Sequence, residues 1–171
     1  MTCAQTMLAS LLAVAIAMGA SPVVAQTLPT PTGPVVLTVS GEIENTNGDG
    51  VAEFDIDMLR ELGESEITTE TIWTPGTIVF TGVRLETLLE AVGATGETID
   101  ATAINDYSVE IPVSDATAGG PIVAYEMDGK RMSRRDKGPL WIIYPFSTSS
   151  DYRTEVIYSR SIWQLDRLMI E

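Results

Sequence analysis

Short apolar segments, alternating or continuous, follow one another along the chain after residue 34. Segments 35–40 and 51–56 are rich in β-branched residues and flank the turn-forming residues 45–50, which predicts a β-hairpin. The same criteria predict six further strands. They cover residues 67–73, 77–80, 99–104, 107–111, 122–127 and 139–146. Most of the domain is therefore expected to be β-structure.

One segment has a clear helical period. Four apolar side chains repeat at helical spacing within residues 84–92, and Gly93 follows as a helix stop. A shorter helix is predicted from Asp57, as the N-cap, to Leu62, before Gly63. Residues 153–169 have a mixed pattern that ends in alternation. Many strands with few short helices predict a mostly-β α+β domain.

The first 25 residues have the pattern of a secretory signal peptide. Residues 7–18 form an apolar run too short to span a bilayer, and small residues precede a predicted cleavage after Ala25. Because no Lys or Arg precedes this run, an N-terminal membrane anchor is the alternative. Residues 26–34 are predicted to be a Pro/Thr linker, and residues 35–171 a single domain. No second stretch is apolar enough to span a membrane, so the mature protein is expected to be periplasmic or secreted.

The chain contains no histidine, and its one cysteine, Cys3, lies in the predicted signal peptide. The mature protein is therefore predicted to have no disulfide, no thiolate nucleophile, no zinc site of Cys and His, no histidine-ligated haem and no histidine-based triad. Carboxylates, Arg, Lys, hydroxyls and backbone groups remain as the available chemistry.

Charge is distributed unevenly along the chain. The net charge is −14, and residues 1–129 hold 19 acidic residues against Arg60 and Arg84. An acidic body of this kind disfavours nucleic acid and anionic membranes as partners. Residues 130–171 reverse the balance, with eight basic and five acidic residues. Basic residues there are predicted either to bind a phosphate-like anion or to pair with the acidic surface nearby. The candidates are Arg131, Arg134, Arg135, Lys137 and Arg160.

Residues 45–56 match half of a calcium-binding loop. Asn45, Asn47, Asp49 and Gly50 occupy the first, third, fifth and sixth positions. Ile56 stands at the twelfth position, where the calcium loop requires a bidentate acid. We interpret the segment as a turn.

Four segments share their order and spacing with a known family. The first is the strand-to-helix step FTGVRLETLL at residues 80–89. The others are residues 103–112, with Asn-Asp-Tyr and Ile-Pro; residues 122–129, which end in Asp-Gly; and residues 137–145, followed by the closing IWQL at 162–165. Together they cover nearly the whole mature domain. The chain resembles a short, secreted branch of the sulfite-oxidase-type molybdopterin-binding domain.

This resemblance implies a mixed-sheet α+β domain that cradles a molybdenum pterin. In catalytic members, a cysteine thiolate just before the aromatic-Gly-Val step binds the metal. The matching position here falls at Thr69 or Glu70, which could offer an oxygen ligand or be an exposed strand residue. The resemblance also places two pterin contacts at Asp136 and Trp141. An Asp would repel a phosphate there, and a Trp cannot form a bidentate pair.

The resemblance places Asn105, Asp106 and Tyr107 near the pterin cleft. We expect them either to line a pocket mouth, with Tyr107 as a hydrogen-bond donor, or to form an ordinary turn. Six aromatic residues could stack on a planar ligand or belong to the core. They are Trp73, Trp141, Trp163, Tyr125, Tyr144 and Tyr158.

The sequence supports three functional hypotheses. The first is an exported, non-catalytic module that binds a small anionic or planar ligand, or a partner such as a periplasmic redox protein. The second is an oxidoreductase that holds molybdopterin through altered metal ligation and takes its chemistry from the cofactor. The third is a structural subunit of an exported redox complex. The missing thiolate favours the first hypothesis.

Overall fold

Ten strands and three short helices make up the part of the chain that the computed structural model describes, residues 28–171. The strands are β1 (Leu37–Gly41), β2 (Ala52–Phe54), β3 (Glu64–Glu70), β4 (Thr77–Arg84), β5 (Thr98–Ala103), β6 (Ser108–Pro112), β7 (Ile122–Met127), β8 (Lys130–Arg131), β9 (Leu140–Ile143) and β10 (Trp163–Ile170). The helices are α1 (Ile56–Glu61), α2 (Leu85–Val92) and α3 (Glu155–Arg160). This confirms the predicted mostly-β α+β class. The predicted signal peptide and its cleavage after Ala25 lie outside the described residues.

All ten strands belong to one mixed sheet, whose main path has the order β2-β1-β10-β9-β7-β4-β3. β5 pairs with β10 and β6, and β8 pairs with β7. The β1–β10 pair is parallel, and the remaining pairs are antiparallel. The register of β10 shifts between Trp163 and Arg167, which lets one strand pair with β9 at its start and with β1 and β5 further on. No helix within residues 28–171 has the length and apolar character needed to cross a bilayer.

Strand β9 explains why residues 139–146 are apolar without interruption. Leu140 and Ile142 belong to the larger core cluster, together with side chains of α1 and α2. Trp141 and Ile143 belong to a second cluster on the other face of the strand. All four are fully buried, and a strand covered on both faces carries a continuous apolar run. The predicted strand is confirmed, with its paired part limited to β9.

The predicted hairpin and the predicted helix are confirmed as well. β1 and β2 pair antiparallel, with residues 45–50 between them. Asn47 makes two hydrogen bonds of 2.8 Å with the backbone of Glu53, which confirms that this segment is a turn. β4 runs directly into α2, and the apolar face of α2 is buried. α2 ends at Gly93, whose φ of 61° lies in the left-handed region.

The predicted strand at residues 67–73 begins and ends three residues too late. β3 ends at Glu70, because the hydroxyl of Thr71 accepts hydrogen bonds from the amides of Trp73 and Thr74 at 3.1 and 3.0 Å. Side-chain bonds of this kind compete with strand pairing. The turn matters for the site, because Trp73 on it packs against both core clusters.

The predicted cap of the first helix is wrong by two residues. Asp55, not Asp57, accepts a hydrogen bond from the amide of Met58, at 2.9 Å. Asp55 is buried, and its other carboxylate oxygen accepts hydrogen bonds from the amides of Thr32 and Gly33 at 2.9 and 2.7 Å. One carboxylate therefore caps α1 and also holds part of the predicted linker against the domain.

We expect Asp55→Ala to lower the free energy of unfolding at neutral pH by about 3 kcal/mol, because a helix cap and two further charge-assisted hydrogen bonds disappear. The same bonds lower the pKa of Asp55 below its ordinary value of 3.8, the bond from Met58 most strongly. A carboxylate with a lowered pKa stabilises the fold above the unfolded-state pKa, and this contribution disappears as the pH falls through the folded-state pKa. The difference between the wild type and Asp55→Ala should therefore shrink in acid.

Urea denaturation at neutral pH and at about pH 3 measures both effects. Asp57→Ala is the matched control, since the Asp57 side chain is 79% exposed and pairs with Arg60 at 3.4 Å. We expect the control to cost less than about 0.5 kcal/mol. Equal losses from the two substitutions would contradict the role assigned to Asp55.

Candidate functional site

A cavity of about 440 Å³ opens where the turn after β5 meets the segment that joins α3 to β10. This volume is within the usual range of small-molecule sites. Four aromatic side chains line the cavity: Trp73, Tyr107, Tyr158 and Trp163. Four uncharged polar side chains also line it: Asn105, Ser159, Ser161 and Gln164. Within the described part of the chain, residues 28–171, the lining thus combines ring surfaces with hydrogen-bonding groups and contains no charged side chain.

Trp73 lies at the centre of the aromatic wall. Its ring centroid is 5.7 Å from the centroids of Trp141, Tyr158 and Trp163, and 6.1 Å from that of Phe146. All four contacts are edge-to-face, an arrangement that aromatic pairs favour. These contacts fix the orientation of the rings before any ligand arrives.

The six aromatic candidates divide into two groups of three. Trp141, Tyr125 and Tyr144 are fully buried, which confirms the core interpretation for these residues. Trp73 and Tyr158 are half-buried, and Trp163 is 37% exposed. These last three line the cavity and keep ring surface open to solvent. Trp73 and Tyr158 also pack against the larger core cluster, so these two belong to both the core and the site.

The turn after β5 brings two predicted residues to the cavity. The side-chain oxygen of Asn105 accepts a hydrogen bond from the amide of Tyr107 at 3.3 Å, so Asn105 both stabilises the turn and lines the cavity. Asp106, with a left-handed φ of 64°, lies between them. Its carboxylate pairs with Arg167 at 2.7 Å and does not line the cavity.

An ion pair holds α3, and with it one wall of the cavity, against the domain. Arg160, at the end of α3, donates a hydrogen bond to Asp115 at 2.9 Å. The same carboxylate oxygen accepts a bond from the hydroxyl of Tyr144 at 2.7 Å. Burial, supported by this bond, raises the pKa of Tyr144 well above its ordinary value, so Tyr144 remains a neutral donor. The structure therefore places Arg160 as the partner of Asp115, outside the cavity lining.

Lys137, in the loop between β8 and β9, contacts the wall of the cavity. Its Nζ lies 4.2 Å from the ring centroid of Trp163 and 5.2 Å from that of Trp141. Both distances are typical of cation–π contacts. The backbone carbonyl of Lys137 accepts a hydrogen bond from the amide of Gln164 at 2.9 Å, which ties the loop to β10.

The other predicted basic residues lie apart from this cavity. Arg131 lines a separate concavity with Asp57, and Arg134 lines another with Asp166. Arg135 is exposed. Within residues 28–171, the structure therefore does not gather the predicted basic residues into one anion clamp.

The position that the resemblance gives to the metal-binding thiolate is closed. Thr69 is fully buried, which corrects its interpretation as an exposed strand residue; Glu70 is exposed, as that interpretation predicted. The hydroxyl of Thr69 lies 3.0 Å from that of Ser147 and accepts a bond from the Ser147 amide at 2.9 Å. The carboxylate of Glu70 accepts a hydrogen bond from Thr77 at 3.4 Å. Both candidate oxygens have protein partners and neither is a soft donor, so these residues do not fit the thiolate-bound molybdenum of catalytic members.

The two positions that the resemblance gives to pterin contacts do not fit either. Asp136 accepts a hydrogen bond from the hydroxyl of Ser133 at 2.7 Å. Trp141 is buried, and its indole N–H donates to the carbonyl of Ser161 at 3.0 Å. Among the described residues, no cluster of three or more His, Cys, Asp or Glu side chains could hold a metal ion.

Sequence reasoning missed three polar residues of the cavity: Ser159, Ser161 and Gln164. They fall in the segment 153–169, whose mixed pattern divides into α3 and β10. Ser159 and Ser161 lie just before β10. This position was a signal for binding residues, since junctions before strands often carry them. The pattern of the segment did not reveal which side chains would meet the turn after β5.

Comparison with known families identifies the class of this domain. The model of the family described as oxidoreductase molybdopterin binding domain matches residues 51–150, more than half of the chain. The chain therefore belongs to this family, which has the sulfite-oxidase-type fold, and the resemblance predicted from the sequence is confirmed.

A solved structure supports the same fold. The crystal structure of the sulfane dehydrogenase SoxCD from Paracoccus pantotrophus is similar, with a TM-score of 0.56 and 17% sequence identity. The match covers 78% of this chain but 37% of that chain, so this protein spans well under half the length of its structural neighbour. At this identity the similarity concerns the fold alone. No curated protein sequence matches the chain.

Proposed function

We propose that this domain is an exported, non-catalytic binding module that takes a small planar ligand in the cavity beside Trp163. The observation that carries the proposal is the cavity lining, in which pre-oriented aromatic rings with open surface lie beside uncharged hydrogen-bonding groups. Aromatic rings favour stacking on other planar groups, and a few polar groups orient a ligand within an apolar site.

The chemistry of the site supports a binding role rather than catalysis. General acid–base catalysis needs a titratable group with a pKa near the working pH, placed within reach of the ligand. In the part of the chain that the structure describes, the cavity lining contains no carboxylate, lysine, arginine or histidine. Among residues 28–171, the only ionisable groups of the lining are the phenols of Tyr107 and Tyr158.

Family membership supports a second candidate function, a molybdopterin-dependent oxidoreductase with altered metal ligation. In that case the cofactor would supply the redox chemistry. The test is molybdenum analysis of the full chain, produced with its native N-terminus in a host that makes molybdopterin. We expect molybdenum far below one atom per chain. One atom per chain would overturn the non-catalytic proposal.

Removal of the Tyr107 ring should weaken ligand binding. Isothermal titration calorimetry with two bicyclic planar probes, pterin and 2-naphthoate, measures the affinity of the wild type and of Tyr107→Ala. We expect the dissociation constant to rise about tenfold in the variant, because a stacking partner of the ligand is lost. Tyr107 is 55% exposed, so its removal should leave the fold intact.

Val156→Ala is the matched control, because Val156 is also 55% exposed but lies on α3 outside the cavity lining. We expect its affinity for both probes to equal that of the wild type. The same loss in both variants would contradict binding at this cavity. Failure of both probes to bind the wild type would overturn the planar-ligand proposal and favour a protein partner, such as a periplasmic redox protein.

A further inference from the structure

We infer that the ligand of this cavity is a planar anion, and that Lys137 is the residue that selects its charge. The inference rests on the proposed function, because it concerns the same cavity. It assigns a chemical class to the ligand: a flat aromatic ring that carries a carboxylate or another negatively charged group.

Lys137 brings a positive charge to the wall of the cavity. Its Nζ lies 4.2 Å from the ring centroid of Trp163, and Trp163 lines the cavity. A planar ligand that stacks on Trp163 would therefore have this ammonium group as a near neighbour. At such separations, and next to apolar rings that exclude water, a charge acts more strongly than it does in bulk solvent.

No carboxylate within residues 28–171 forms an ion pair with Lys137. The neighbouring Asp136 accepts a hydrogen bond from Ser133. The cavity lining has no acidic side chain, and Asp106, on the turn that supplies Asn105, is paired with Arg167 at 2.7 Å.

The setting of Lys137 contrasts with the rest of the protein. A chain with a net charge of −14 repels small anions over most of its surface. Within residues 28–171, the cavity lining has no acidic side chain and Lys137 is in no ion pair. The repulsion of small anions is therefore reversed at this cavity. A cation in this cavity would find no carboxylate among the described lining residues with which to pair.

The backbone holds Lys137 in place for this role. Its φ of 70° lies in the left-handed region, which is uncommon for a residue with a side chain. The Gln164 amide donates to the Lys137 carbonyl at 2.9 Å, and the Gln164 side chain donates to the Arg134 carbonyl at 2.6 Å. The cavity residue Gln164 thus fixes the loop that carries the lysine.

Two probes of equal shape and different charge test the inference: 2-naphthoate and its neutral counterpart 2-naphthamide. Calorimetric titration of the full chain should show that the wild type binds the naphthoate about five to ten times more tightly than the amide. Lys137→Gln should reduce this ratio to about one and should weaken only the naphthoate. The matched control is Lys130→Gln on β8, an exposed lysine outside the cavity lining, which should keep the wild-type ratio.

The outcomes separate the inference from the function on which it rests. Equal affinities of the wild type for the two probes would overturn the charge preference and leave the planar-ligand function intact. A preference that survives Lys137→Gln, or that is lost equally in Lys130→Gln, would overturn the role of Lys137. Failure of both probes to bind would overturn the proposed function and the inference together. A melting temperature of Lys137→Gln close to that of the wild type shows that the comparison is made between folded proteins.

Discussion

Replacement of Gly82 by alanine is expected to cost about 4 kcal/mol or more, and so to leave little folded protein. Gly82 lies in β4, at the point where the register between β4 and β7 shifts. A Cβ built on it would be 2.3 Å from the carbonyl oxygen of Val123 and 2.6 Å from the Cα of Ala124. Both are backbone atoms of β7, which cannot move without separating two central strands.

This clash also explains the glycine in the strand-to-helix step that carries the family resemblance. A glycine inside a strand marks a place where another backbone approaches closely. Here the close approach sets the β4–β7 pairing, and α2 follows directly from β4. Soluble yield, near-ultraviolet circular dichroism and urea denaturation of Gly82→Ala measure the effect.

Gly76→Ala is the control for the loss of a glycine without a clash. Gly76 has a φ of 71°, and no atom lies within 4 Å of a Cβ built there. Its substitution should cost about 1 kcal/mol, through backbone strain alone. A Gly82→Ala protein as stable as Gly76→Ala would show that β4 and β7 are not packed as closely as described.

Truncation of Trp141 is the second large effect. We expect Trp141→Ala to lower the free energy of unfolding by about 4 kcal/mol, as is typical for a large buried aromatic residue. The ring of Trp141 is fully buried and packs edge-to-face on Phe80, Trp73 and Trp163, with centroids 5.4, 5.7 and 6.2 Å away. Its indole N–H also donates to the carbonyl of Ser161, beside the cavity. In Trp141→Ala, the free energy of unfolding from urea denaturation and the affinity for the planar probes should both decrease.

Trp141→Phe separates packing from the hydrogen bond. It keeps an aromatic ring but leaves the Ser161 carbonyl without its indole donor, so we expect a loss of about 2 kcal/mol. Trp163→Phe is the matched control, because Trp163 is 37% exposed, and we expect it to cost about 1 kcal/mol or less. If Trp141→Phe were as mild as Trp163→Phe, the bond to Ser161 would not hold this wall of the cavity.

Neither position that the resemblance gives to the metal-binding thiolate carries a cysteine. Thr69, one of the two, is buried and its hydroxyl is bonded to Ser147. The aromatic cavity has a volume of about 440 Å³. Fold does not determine function, and the proposal for this domain rests on the residues of this cavity.

Local patterns predicted most of the elements because each depends on neighbours in sequence. The face of α2, the turn between β1 and β2 and the apolar run of β9 are confirmed for this reason. Two errors have local causes: the Thr71 side chain turns the chain after β3, and Asp55 rather than Asp57 accepts the capping bond from Met58. The error at Thr69 came from a distant partner. Thr69 is buried by a contact with Ser147, 78 residues later.

Distant partners also decided which of the candidate residues lie at the cavity. Asn105 and Tyr107 were expected at a cleft because of the family resemblance, and the structure places both at the cavity. Asp106 and Arg160 were predicted with them, but each is paired in an ion pair elsewhere, with Arg167 and Asp115. A sequence pattern shows that a side chain is polar, but it does not show which opposite charge lies across the fold.

By itself, the sequence determined the class of domain, its family and the absence of cysteine and histidine from residues 28–171, because these depend on residue identity and on periods of a few residues. Only the tertiary structure decided that Trp73, Tyr107, Tyr158 and Trp163 surround one cavity and that Lys137 lies against its wall. These residues come from four separate segments of the chain. Long-range strand pairing brings them together, and no local period encodes which segments will meet.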